Sequence, residues 1–204
     1  MPPTAGLRER KKQRTRDTIV RKAMALFRKR GFDATTVADI AAAADIAPRT
    51  FFAYFETKEA VVFHDFDAIR DRFAERLRAR SADETTFDAL RAWVVEWLEE
   101  EDLLSPQHEA RHELVRTTPA LQARERDNQA AFGAIIAESV AGELGVPVDS
   151  LRPRMVGAAA VSALAALDHA DAAALEDPVA VVDEALAFLQ GGLDVLRRRP
   201  APSS

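Results

Sequence analysis

Residues 35–58 read TTVADIAAAADIAPRTFFAYFETK, and this stretch decides the fold. Thr36 is a helix-capping residue with Asp39 three positions on, a weaker form of the capping box. Val37, Ile40, Ala41 and Ala44 then recur at helical spacing along one face. The helix is expected to stop at Asp45, where the turn needs positive φ. Asp adopts that conformation more readily than most residues with a Cβ, though less readily than Gly. Pro48 suits the first position of a second helix, expected from Pro48 to about Tyr54. Two turns do not persist alone, so Phe51 and Phe55 must pin that helix from behind. Arg49, Thr50, Ala53 and Tyr54 are left to face outward. A short helix fixed in this way has the shape of a helix-turn-helix reader for a major groove.

Charge is divided to match. Residues 1–58 hold 13 Lys/Arg against 6 Asp/Glu, whereas the remainder holds 15 against 27, a split hidden by the net charge of −5. A basic head on an acidic body suits a protein that meets nucleic acid at one end. Arg8, Arg10, Lys11, Lys12, Arg14 and Arg16 crowd the start of the first helix, expected over about 9–30 and closed by Gly31. Beside a helix-turn-helix they are expected to lie over phosphates, adding affinity and salt dependence but little sequence information.

The remaining pattern is helical throughout. Helices are expected over about 58–80, 87–104, 106–116, 119–144, 150–173 and 178–199. No alternating β-branched run lies between turn clusters. The fold class is therefore all-α: a disordered arm over 1–10, a helix-turn-helix domain over 11–58, a larger helical domain over 59–199 and a tail over 200–204. The last two helices are apolar around more than one face. In a chain of 204 residues that points to a two-fold interface built from both, and so to a homodimer.

Other classes are disfavoured. There is no Cys, hence no disulfide framework or thiolate metal site. The opening MPPTAGLRERKK lacks an apolar core after its charges, so it does not read as a secretory signal. No apolar run reaches the roughly 18 residues of a membrane span, and a cytoplasmic protein without a membrane partner is expected. No Gly-rich phosphate loop or nucleophile elbow appears, and no cofactor is implied. His108-Glu109-Ala110-Arg111-His112 matches the H-E-x-x-H zinc pattern. Arg111 beside the would-be cation and the lack of a marked third ligand weigh against a metal. The zinc hydrolase reading therefore ranks below DNA binding, as does a non-specific architectural DNA binder.

The basic first helix, the stretch GFDATTVADIAAAADIAPRTFFAYFETKEAVV and the all-helical body resemble the TetR family of bacterial transcription regulators. The likeness is strong over about residues 10–65 and architectural beyond. It implies a homodimer whose two heads sit in successive major grooves of a palindromic operator. It also implies a C-terminal domain that supplies the effector pocket and dimer contact, with a repressor as the expected outcome. Carried over by position, Thr36 is a phosphate anchor, and Pro48, Arg49 and Thr50 open the recognition helix. Tyr54 and Lys58 match phosphate-contacting positions, and Arg14 belongs to the same face. Two departures stand out: Asp45 where the family usually has Gly, and Phe52 where it usually has Tyr. Phe52 is left to pack against a sugar or a thymine methyl.

RTFFAYFETKEAVVFHDFD and LVRTTPALQAR look like the actinobacterial branch that includes the mycofactocin-system regulator, described as binding acyl-CoA-like ligands. That resemblance implies an apolar tunnel with cations at its mouth. Trp93, Trp97, Phe132 and Ile136 are the candidates for the tunnel, and Arg111, Arg116 and Arg124 for the mouth.

Overall fold

The computed structural model describes residues 4–100, 105–166 and 177–198, and the described residues are helical with no strand. The helices are α1 (Thr4–Arg30), α2 (Val37–Ala43), α3 (Pro48–Phe51), α4 (Glu59–Val62), α5 (Phe66–Arg78), α6 (Thr86–Glu100), α7 (Pro106–Thr117), α8 (Pro119–Leu144), α9 (Leu151–Ala165) and α10 (Pro178–Arg198). They form two compact units. Residues 4–66 and 105–125 make one, and residues 67–100, 126–166 and 177–198 make the other.

Local chemistry sets most of the boundaries. Gly31, at φ 85°, closes α1 by donating its N–H to the Phe27 carbonyl. Ser105 caps α7 by accepting from the His108 N–H, and Asp177 caps α10 by accepting from the Ala180 N–H. Thr85 and Asp88 form a reciprocal capping box at the start of α6. Pro106, Pro119 and Pro178 each occupy the first position of a helix, where no N–H is needed.

Three expectations are corrected. Residues 4–10 are not a disordered arm but the first turns of α1, where the Arg10 guanidinium donates to the Gly6 carbonyl. Good helix formers follow Gly6 without interruption, so the helix extends back through the basic run. The recognition helix is also shorter than two turns. α3 ends at Phe51, and tighter turns carry the chain on, with Ala53 N–H donating to Thr50 and Tyr54 N–H to Phe51. Finally, the long helix expected over 58–80 is broken at Phe63–Asp65 into α4 and α5. At the break Arg16 takes the His64 carbonyl, and the Asp65 carboxylate pairs with Arg111 at 3.5 Å. The 200–204 tail, the end expected near Leu104 and the stretch around Ala173 lie outside the described residues.

The first unit closes around Ile19, Ala23 and Phe27 of α1, Phe32, Ile40, Phe51, Phe55, Val61, Val62 and Leu121. Leu114 and Val115 of α7 pack against this core. The second unit buries Phe73 and Leu77 of α5, Leu90 and Val94 of α6, Ile136 and Val140 of α8, Val156 and Ala160 of α9, and Leu186 and Leu193 of α10. Where α8 crosses α9 the backbones nearly touch. A Cβ on Gly157 would meet the Gly133 carbonyl oxygen at 2.2 Å, so only Gly fits there. A polar knot ties the segment after α5 to α6 and α8: Arg80 donates to Ser139 Oγ at 3.1 Å, and Ser139 shares a 2.8 Å bond with Thr86. The Thr86 N–H donates to Glu143, which also pairs with Arg197 of α10.

Candidate nucleic-acid interface and effector site

The 35–58 stretch folds as the spacing predicts at its two decisive points. Thr36 accepts from the Asp39 N–H at 3.1 Å, and the Asp39 carboxylate accepts from the Thr36 N–H at 2.9 Å, completing the capping box. These bonds to Thr36 hold the Asp39 carboxyl below its ordinary range, helped by nearby Arg30. The Thr36 hydroxyl also donates to Asp39, so its hydrogen-bonding capacity is largely taken within the cap. At the other end Asp45 sits at φ 56°, and Ile46 N–H donates to Ala41 while Asp45 N–H donates to Ala42. That pair of bonds is a Schellman motif with Asp in the place Gly would favour.

Phe51 and Phe55 pin α3 from behind as expected. Phe51 and Phe55 are buried with their rings 5.8 Å apart, while Pro48, Arg49 and Phe52 are exposed and Thr50 is half-buried. Phe52 meets Phe51 edge-on, which steadies an apolar ring that is 56% exposed. Arg14 is exposed on α1, as are Arg8, Arg10, Lys11 and Lys12. The element therefore presents a cation and a ring, with further cations on the helix behind it.

Two cations behave otherwise. Lys58 Nζ donates to the Phe32 carbonyl at 2.8 Å and the Thr35 carbonyl at 3.2 Å, and lies 4.3 Å from the Phe32 ring centroid. Two of its three N–H groups thus close the loop between α1 and α2. Arg16, expected over phosphates, turns inward: it donates to the Tyr54 and His64 carbonyls and lies over the Phe55 ring at 4.4 Å. Sequence reasoning missed both, because composition counts a cation without saying which way it points. Tyr54 is half-buried and contributes its carbonyl to Arg16. Burial holds His64 below the ordinary imidazole range, opposed by Asp65 and reinforced by Arg111 and Arg16.

The residues expected around an effector separate into two groups. Trp93, Trp97, Phe132 and Ile136 do come together in the second unit. Phe73 lies 4.7 Å from Trp93 and 5.2 Å from Phe132 by ring centroid, and Trp93 and Trp97 are parallel within 8°. Arg111, Arg116 and Arg124 belong to the first unit, where Arg111 pairs with Asp65 and Arg116 with Glu113 of its own helix. Among the described residues no three His, Cys, Asp or Glu side chains gather as a metal set, in the HEARH segment or elsewhere.

An all-helical chain with a capped, aromatic-pinned helix-turn-helix, a basic first helix and a second helical unit has the form of a bacterial DNA-binding regulator. A family model described as bacterial regulatory proteins, tetR family, matches residues 19–64, and one described as MftR C-terminal domain matches residues 84–194. The chain is 35% identical over 162 residues to the HTH-type transcriptional regulator TcmR of Streptomyces glaucescens, covering 76% of this chain and 72% of that one. It is 31% identical over 155 residues to MftR of Mycobacterium tuberculosis, proposed as a mycofactocin biosynthesis transcriptional regulator, covering 72% of this chain and 75% of that one. Its structure is similar to that of Thermus thermophilus FadR, a TetR-family repressor solved with lauroyl-CoA, at a TM-score of 0.59 and 26% identity, covering 93% of this chain and 98% of that one. The chain belongs to the TetR family of transcriptional regulators.

Proposed function

We propose that the chain is a homodimeric repressor that binds a palindromic operator in the cytoplasm and is released by a hydrophobic effector held in its second unit. The observation that carries the DNA contact is the two-sided element at 48–55: Phe51 and Phe55 fixed inward, Arg49 and Phe52 exposed outward. Arg49 is the base reader, since a guanidinium bonds guanine at two points. Pro48, Thr50 and Phe52 shape the contact surface around it. Arg14, Tyr54 and Thr36 flank the backbone, while Lys58 acts chiefly by holding the loop that carries Thr36.

The second copy is supported by what α9 and α10 leave uncovered. Leu151 and Met155 on α9, and Phe188 and Val195 on α10, are large apolar side chains exposed on the surface. Ala187, Gly191 and Gly192 lie exposed on the same side of α10 and allow a partner helix to approach closely. No helix among the described residues is long and apolar enough to cross a membrane, so these side chains are not a spanning face. Two heads must stand about one DNA turn apart, ~34–36 Å, to read a palindrome. An effector that prefers a different spacing lowers DNA affinity by its differential affinity for the two states.

Fluorescence anisotropy on the DNA upstream of its own gene, against scrambled DNA of equal length, tests this reading. Arg49→Ala is expected to lose about 1–3 kcal/mol of discrimination between the two. Equal losses on both sequences would remove Arg49 as the base reader, and equal affinity of the native protein for both would remove the operator.

A further inference from the structure

Among the described residues of the second unit, two buried N–H donors have no partner. They are Trp93 Nε1 on α6 and Asn128 Nδ2 on α8, and Asn128 as a residue is only 5% exposed. A buried donor left unpaired destabilises the fold that contains it. Two of them in one unit therefore need a reason.

Their relative position follows from the helix register. Thr86 of α6 touches Ser139 of α8, and seven residues further along α6 Trp93 meets Phe132, seven residues back along α8. The helices are thus antiparallel, and the same register sets Trp97 level with Asn128. Asn128 and Phe132 are four apart on one face of α8, as Trp93 and Trp97 are on α6. The residues that carry the two donors accordingly lie about one helical turn, ~5.4 Å, apart in register along a single α6–α8 seam. The walls of that seam are the rings of Phe73, Trp93, Trp97 and Phe132. The cations expected at an acyl-CoA mouth are not in this unit: Arg111, Arg116 and Arg124 all belong to the other.

We infer that the effector is a flat, conjugated molecule carrying a carbonyl oxygen, an aryl ketone or quinone, whose rings pack on the Trp93–Phe132 wall and whose oxygen accepts from Trp93 Nε1 and Asn128 Nδ2. This rests on the proposed effector site in the second unit and supplies its chemistry. Faces of rings favour a flat unsaturated body. Donors without acceptors favour a ligand oxygen. A saturated acyl chain satisfies neither donor along its length.

The chain holds only two tryptophans, and both line this seam, so its two indole N–H resonances report on the site directly. The experiment titrates 15N-labelled full-length protein with 9-fluorenone, with fluorene (the same rings without the ketone) and with lauroyl-CoA. Trp97→Phe identifies the Trp93 cross-peak. Fluorenone is expected to move that peak and to bind at least about threefold more tightly than fluorene. Asn128→Leu is expected to weaken fluorenone about three- to tenfold while leaving fluorene unchanged, and Trp93→Phe to weaken fluorenone by more than it weakens fluorene. Because both donors are unpaired without ligand, Asn128→Leu is expected to raise the melting temperature of the free protein. Equal binding of fluorene and fluorenone, an unmoved Trp93 peak, or a lowered melting temperature for Asn128→Leu overturns the inference. So does a Trp93 shift produced by lauroyl-CoA at lower concentration than by fluorenone. The regulatory reading is checked separately, by whether the ligand that moves the Trp93 peak also releases DNA. Binding without release upholds the donor pair and overturns the effector role.

Discussion

Lys58 and Arg16 show how side-chain direction governs the head. Each is a cation in a basic segment, and each donates to backbone carbonyls at a chain turn. Lys58→Ala should lower the stability of the head by about 1–3 kcal/mol, since it strands the Thr35 carbonyl and leaves the Phe32 carbonyl with the Thr35 N–H alone. Urea denaturation followed by circular dichroism reads this directly. An unchanged midpoint would return Lys58 to a pure phosphate contact. His64 adds a pH dependence. Burial holds its imidazole below the ordinary 6.5, so the folded head keeps it neutral while the unfolded chain takes up a proton. Stability conferred by neutral His64 is present above about 6.5 and declines as pH falls below it. Asp39 acts lower, losing its stabilising charge only as pH falls below the ordinary carboxylate range. Melting curves at pH 7.5 and 5.5 should therefore separate native protein from His64→Gln, the native losing more on acidification. Parallel losses would assign the effect elsewhere. None of this direction was legible in the sequence: 13 cations are countable over residues 1–58, but which of them face inward depends on carbonyls 23 to 48 residues away.

At the scale of elements, helix starts and stops were the most legible feature because they are decided within three or four residues. Ser105-Pro106, Thr118-Pro119 and Asp177-Pro178 each opened a helix where expected. Asp45 took the positive φ that its turn demanded. Asp45→Gly should stabilise the head by about 1 kcal/mol by relieving the left-handed conformation, measurable as a raised melting temperature with unchanged DNA affinity. What local pattern concealed was the break between α4 and α5. Val61, Val62, Phe66, Ile69, Phe73 and Leu77 keep helical spacing straight through it, and Arg16 and Arg111, which engage His64 and Asp65, come from distant helices. The α8–α9 crossing was equally hidden, since a small-residue run looks the same whether it faces a backbone or solvent. It yields a paired test. Gly157→Ala drives a methyl into the Gly133 carbonyl and should destabilise the second unit by about 1–3 kcal/mol or more. Gly133→Ala places its methyl 3.5 Å from the Gly157 oxygen, an ordinary contact, and should be neutral or mildly stabilising. Equal effects of the two would mean that the crossing is looser than drawn.

At the scale of the whole molecule, the division of charge and the apolar character of the last two helices were the signals that reached furthest. Both survive without knowledge of any contact, because they are properties of segments. The aromatic wall was half legible: Trp93, Trp97, Phe132 and Ile136 stood out by type, whereas Asn128 did not, since a polar residue announces nothing until its surroundings are seen to be dry. The proposed dimer is where sequence, surface and function meet. Phe188 is 80% exposed on α10, with Val195 two turns further along the same face. A side chain of that size gains most from leaving water, roughly 25 cal/mol for each Å² of apolar surface covered. Phe188→Glu should place a charge in the centre of the proposed contact and convert the protein to a monomer, detectable by analytical ultracentrifugation. The head would still fold, so its affinity for a half-site should stay within a factor of two. On the full palindrome the second head no longer binds at raised local concentration, and affinity should fall by about 10²–10⁴. A monomer that still bound the palindrome at native affinity would detach DNA reading from dimerisation. A Phe188→Glu protein that remained dimeric would place the two-fold contact on another face.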